Sequence, residues 1–295
     1  MQHQKYRLIV PFLAPAIILY AVFVLWPYGQ SFYTSLTQWS GLSPNKTFIG
    51  LANFDKLIHD PQFWNALRHN GIMLVVLPAI TIALALLFAA LFTQGGQTVP
   101  GAGFYRVVFF FPQVMAVAII GILWSFVFNP NAGLLNGFLR VIGLGGLQRA
   151  WLGDPKTSLG AVAAVVIWQA VGFYMVLFIA GMQAIPTSFY EAAIIDGATR
   201  WTMFWRITLP LLWDNLQVAL VYIGIGALDL FTIVQVMTEG GPNQSSEVVA
   251  HYLYTTAFQY GQFGYATAIG VALLFLTLVL SLLTFTVTRR ERIEY

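Results

Sequence analysis

The chain contains no cysteine, only four histidines, and little charge: Asp, Glu, Lys and Arg make up 8% of its 295 residues. A soluble domain carries about a quarter charged residues. The missing cysteine excludes disulfides and thiolate metal sites. His3, His59, His69 and His251 fall in tails and loops with no paired metal spacing. There is no HExxH and no phosphate-cradling Gly-Lys-Ser/Thr. No Ser-His-acid arrangement can be supported from sequence, since a triad is defined by geometry. Outside the C-terminal tail no Lys/Arg run of useful length occurs, so the formal charge of +3 reads as membrane orientation rather than nucleic-acid binding. Internal repeats, low-complexity stretches and a separate soluble domain are also missing.

What is abundant is apolar. Hydrophobic residues make up 58%, with 24 Phe, 13 Tyr and 9 Trp, so much of the surface must face lipid. A span needs about twenty mostly apolar residues. Six segments qualify: 8–28, 70–92, 107–129, 158–182, 214–236 and 266–288. Pro11, Pro15, Pro27, Pro78 and Pro112 lie within or at the ends of these runs, where neighbouring helices can satisfy the freed carbonyls. The first run is too long for a signal-peptide core and lacks a small-x-small cleavage site, so it reads as a retained span. The expected fold is an all-α polytopic membrane protein with six transmembrane helices. With the N-terminus inside, eight basic residues (Lys5, Arg7, Arg106, Arg200, Arg206, Arg289, Arg290, Arg292) fall on inner segments and six on the longer outer loops. Basic density therefore puts both termini in the cytoplasm.

The segment Glu191–Pro210, EAAIIDGATRWTMFWRITLP, is the longest charge-bearing amphipathic stretch between two apolar runs. Ser188 stands three residues before Glu191, at capping-box spacing, and Pro186 precedes both where a helix begins. Asp196-Gly197 breaks the run, and Thr199 is placed to cap a second short helix carrying Trp201, Phe204, Trp205 and Ile207 on one apolar face. Glu191, Ala192, Ala193, Gly197, Ile207, Leu209 and Pro210 fill every fixed position of the EAA signature, and on them the chain resembles the permease subunits of ABC importers. The residues alone also fit a plainer account, a capped and bent helix pair with an interfacial Trp anchor.

Three further phrases resemble the carbohydrate branch of that family: FIGLANF at 48–54, the 129–155 segment ending near Trp151-Leu152, and TEGGP at 238–242, the last as in the first permease of maltose-type importers. The resemblance implies a type I ABC-importer transmembrane domain in a bacterial or archaeal cytoplasmic (inner) membrane. Its parts would be a first helix and extracytoplasmic loop over 1–69, a five-helix domain over 70–288 with the coupling loop at about 184–213, and a cytoplasmic tail over 289–295. It implies a second permease, an ATPase dimer and an extracytoplasmic substrate-binding protein as partners, with ATP and Mg held by the ATPase and no cofactor on this chain. The coupling set it implies is Glu191, Ala192, Ala193, Asp196, Gly197, Ile207, Leu209 and Pro210.

Within the spans, uncharged polar and aromatic side chains are the candidates for a sugar pathway, because amides and phenols bond hydroxyls and flat rings cover apolar CH faces. They are Gln113, Trp168, Gln169, Tyr174, Tyr222 and Gln235. Trp168 and Gln169 are adjacent, so at most one faces a given pore. Asp229 joins them as a costly intramembrane carboxylate. It equally fits a cap on a broken helix. No cation stands firmly inside a span, which favours a neutral sugar over a glycerophosphodiester; an importer for that or another small solute, such as a polyamine, is the alternative. An ATPase-independent carrier has no need of the complete EAA element.

Overall fold

The computed structural model describes residues 2–94 and 97–288. The basic residues Arg289, Arg290 and Arg292 and the expected tail 289–295 lie outside the described residues. Four helices are each long and apolar enough to cross a membrane: Pro11–Ser35, Pro61–Phe92, Ser158–Ala184 and Phe263–Thr284. Two more candidates are bent pairs. Ala102–Val114 and Val117–Val127 meet at 100°, and Arg200–Leu211 and Trp213–Leu228 meet at 67°.

The straight spans expected over 107–129 and 214–236 are therefore corrected. The first stops two residues after Pro112, and Met115 and Ala116 are both extended, at ψ 144° and 134°. The second ends at Leu228, and a separate short helix, Phe231–Met237, follows after Asp229 and Leu230. Two small antiparallel ribbons interrupt the helices, pairing Thr37 with Phe48 and Thr93 with Thr98.

The chain divides into two compact units. One gathers the residues up to Phe63 with Tyr252–Phe275. In it, Asn53 donates to the carbonyls of Ser35 and Thr37 at 2.8 and 2.9 Å, pinning the Ala52–Ile58 helix to the end of the first span. Asp60 caps the Pro61–Phe92 helix by accepting from the Gln62 N–H at 2.9 Å. Its other oxygen accepts from the phenols of Tyr252 and Tyr265, each at 2.5 Å. Burial alone raises the Asp60 pKa, but these two phenols and the N–H groups of Gln62 and Phe63 outweigh it and hold the carboxyl below its usual value.

The other unit runs from Trp64 to His251 and resumes at Leu276. Its core is built on Ser158–Ala184, where Val162, Val165, Met175 and Phe178 are fully buried. Gly172 lets the Ala102–Val114 helix approach backbone to backbone: a Cβ at Gly172 would fall on the Phe109 carbonyl. Asn70 is wholly buried in the Pro61–Phe92 helix. Its amide donates to the Ala227 carbonyl at 2.8 Å, and its oxygen accepts from the Val249 N–H at 2.9 Å. Ala227 belongs to the last turn of Trp213–Leu228, whose carbonyls lose their helical partners at the break. Asn70 thus supplies what the broken helix lacks.

Candidate functional site

The EAA stretch folds as two short helices joined by a tight turn. Thr187–Ile195 begins after Pro186, which serves as its N-cap in extended conformation, with no side-chain cap bond. The capping box expected from Ser188 and Glu191 is therefore not formed. Ile185 is extended, at ψ 125°, as a residue before proline is driven to be, so the helix starts early and Ser188 falls inside its first turn.

The exit follows the sequence expectation. Gly197 has φ +76°. Its N–H donates to the Ile194 carbonyl at 3.0 Å, and the Ala198 N–H donates to Ala193 at 2.9 Å. This is the paired bonding of a left-handed helix cap. Thr199 then caps the second helix, accepting from the Thr202 N–H at 3.2 Å. The Tyr190 phenol meets the Thr208 hydroxyl at 3.0 Å and ties the two halves together.

The pair presents a surface. Glu191, Ala192, Asp196 and Gly197 are exposed, and Ala193, Ile207, Leu209 and Pro210 are half-buried. Beside them Ile195 is 85% exposed and Trp201 70% exposed. Large apolar side chains exposed together mark a surface that meets either a protein partner or the membrane. The Trp201 and Trp205 rings pack edge to face, 5.5 Å between centroids.

The pathway candidates are scattered. Gln113 is exposed in the last turn of Ala102–Val114, just before the 100° bend. Trp168 is 42% exposed and meets Trp124 edge on at 5.3 Å, while Gln169 beside it is half-buried. Tyr174 is buried and Tyr222 is 67% exposed, and the two phenols are near enough to interact electrostatically. Gln235 keeps a buried side-chain oxygen without a hydrogen-bond partner. Asp229 is exposed and closes the Trp213–Leu228 helix, the capping position that its sequence context also allowed. Of the seven, Tyr174 and Tyr222 come within electrostatic reach of each other.

Sequence reasoning missed Asn70, whose two partners lie 157 and 179 positions away. It also missed a groove of about 1260 Å³ between the Pro61–Phe92 helix and the helix pair 187–211. Leu74, Pro78, Ile82 and Leu86 line it on one side, and Trp201, Phe204 and Leu216 on the other. None of the seven pathway candidates lines it.

The fold and the sequence have known counterparts. A bacterial ABC transporter that imports the acidic polysaccharide alginate contains a chain of the same fold, with a TM-score of 0.82 at 24% identity, over 98% of this chain and 97% of that one. The diacetylchitobiose uptake system permease protein NgcF of Streptomyces coelicolor is 43% identical over 94% of this chain and 81% of its own length. The sn-glycerol-3-phosphate transport system permease protein UgpA of Agrobacterium fabrum is 34% identical over 97% of both. The family model for the binding-protein-dependent transport system inner membrane component matches residues 72–292. With several apolar helices long enough to span a bilayer and relatives that are ABC permeases, the chain belongs to that family of multi-pass inner-membrane transport components.

Proposed function

We propose that this chain is one permease subunit of an ATP-driven importer for a neutral sugar or short oligosaccharide, forming half of the pathway. The observation that carries the coupling part is the exposed helix pair 187–211, in which the whole EAA pattern stands around a left-handed glycine turn. Glu191 contacts the ATPase, Ala192 and Ala193 allow close approach, Asp196 and Gly197 make the turn, and Ile207, Leu209 and Pro210 join it to the next span. ATP and Mg reside on the ATPase dimer, and this chain carries no cofactor and no catalytic group. Closure of that dimer moves the helix pair and opens the pathway outward, towards an extracytoplasmic substrate-binding protein.

A second permease supplies the facing half of the pathway. Support comes from the first span, in which the best apolar window has no buried residue, and from the exposed Trp168 and Tyr222. The sugar class rests on relatives named for diacetylchitobiose and lactose. The test is uptake of radiolabelled disaccharides by cells with and without the gene, before and after ATP depletion at constant membrane potential. Uptake that needs both the gene and ATP is expected. Uptake that survives ATP depletion removes the proposal.

One observation favours a phosphate-bearing solute as the second reading. Arg106 has two buried guanidinium nitrogens without a hydrogen-bond partner, and glycerol-3-phosphate permeases stand at 34% identity. Competition of sugar uptake by glycerol-3-phosphate, lost in Arg106→Gln, is the outcome that would replace sugar by phosphate ester.

A further inference from the structure

The groove is graded along its length. At one end Leu74 lies beside Gly224, and Val75, Pro78 and Ala79 continue the apolar lining. At the other end are Thr93, just past the Pro61–Phe92 helix, and Arg200, which opens the second coupling helix. Thr93 is 8% exposed. Among the described residues no carboxylate lies within ion-pair distance of Arg200. Trp201 and Trp205 flank this end, and Trp concentrates where hydrocarbon meets headgroups.

We propose that the groove holds a phospholipid with an anionic headgroup. Its acyl chains lie along Leu74–Leu86, and its phosphate accepts from Arg200. A bare apolar helix from a partner subunit fits the same groove less well. Its backbone bonds are satisfied internally, so it brings no anion to Arg200. The proposal needs only the membrane setting of the family and does not depend on the sugar or on ATP coupling. With the coupling segment cytoplasmic, the lipid belongs to the inner leaflet and buttresses that segment from behind.

The test is native mass spectrometry of the chain, purified in mild detergent with whatever subunits accompany it and equilibrated with equal phosphatidylglycerol and phosphatidylcholine. Wild type should retain phosphatidylglycerol preferentially. Arg200→Gln should cut that preference about tenfold, as the loss of one charge-assisted bond implies, while Arg200→Lys keeps most of it. Ala83→Trp, which fills the apolar part, should lower retention of both lipids. Co-purification of the ATPase is scored on the same samples, so loss of coupling is read separately from loss of lipid. Equal phosphatidylglycerol retention in wild type and Arg200→Gln overturns the proposal. So does a photo-crosslinking residue at position 83 that captures a polypeptide instead of lipid.

Discussion

Substituting Gly197 separates the energetics of the chain from those of docking. Its φ of +76° lies where an L side chain is disfavoured, at a cost of roughly 1–2 kcal/mol. A Cβ there meets nothing within 4 Å. The chain's own penalty is thus conformational, and about 1–2 kcal/mol leaves a membrane-inserted protein folded. Asn tolerates the left-handed region, so Gly197→Asn should cost less than Gly197→Ala, and Gly197→Val most. Docking obeys a different rule, because any side chain at 197 projects from the exposed turn into whatever sits on it. Gly197→Asp should therefore insert and show a melting point within a few degrees of wild type, yet lose stable ATPase co-purification. The assay is affinity capture of the tagged variant, with thermal stability measured on the same sample. Normal ATPase recovery with Gly197→Asp would refute the docking argument. A variant that fails to insert would refute the claim that the cost is local.

Three other outcomes follow from packing and charge. Gly172→Ala puts a Cβ 1.7 Å from the Phe109 carbonyl oxygen, where comfortable contact needs about 3.5 Å. Backbone cannot yield that distance cheaply, so a loss of at least 1–3 kcal/mol is expected, read as reduced yield and a lower melting point. Asn70→Leu strands the Ala227 carbonyl and the Val249 N–H and should cost about 2–5 kcal/mol, whereas a similar melting point in both proteins would show that Asn70 does not hold the broken helix. Asp60 has a folded pKa below its unfolded value, so its stabilising effect is present at neutral pH and fades as pH falls through the lowered value. Asp60→Asn should melt earlier at pH 7 and show a shallower acid limb.

Local chemistry was legible, and long-range pairing was not. The turn at Gly197 and the cap at Thr199 were each written in a few adjacent residues, and both are present. Ser188 misled because the proline two positions earlier decides where the helix starts. The bends after Pro112 and at Asp229 were hidden inside apolar runs, which look alike whether straight or broken. What permits the second break is Asn70, whose amide reaches across from another helix. The apolar groove is invisible for the same reason. Leu74, Trp201 and Leu216 each read as ordinary core or lipid-facing residues until the fold sets them around one space.

The central claim is tested most directly by purifying the tagged chain from its native cell in mild detergent, identifying what accompanies it, and reconstituting that assembly in liposomes. The account predicts a second multi-span permease and an ATPase in the preparation, and sugar entry that requires both ATP and an extracytoplasmic binding protein. Recovery of this chain alone, still moving solute into liposomes without ATP, would contradict it.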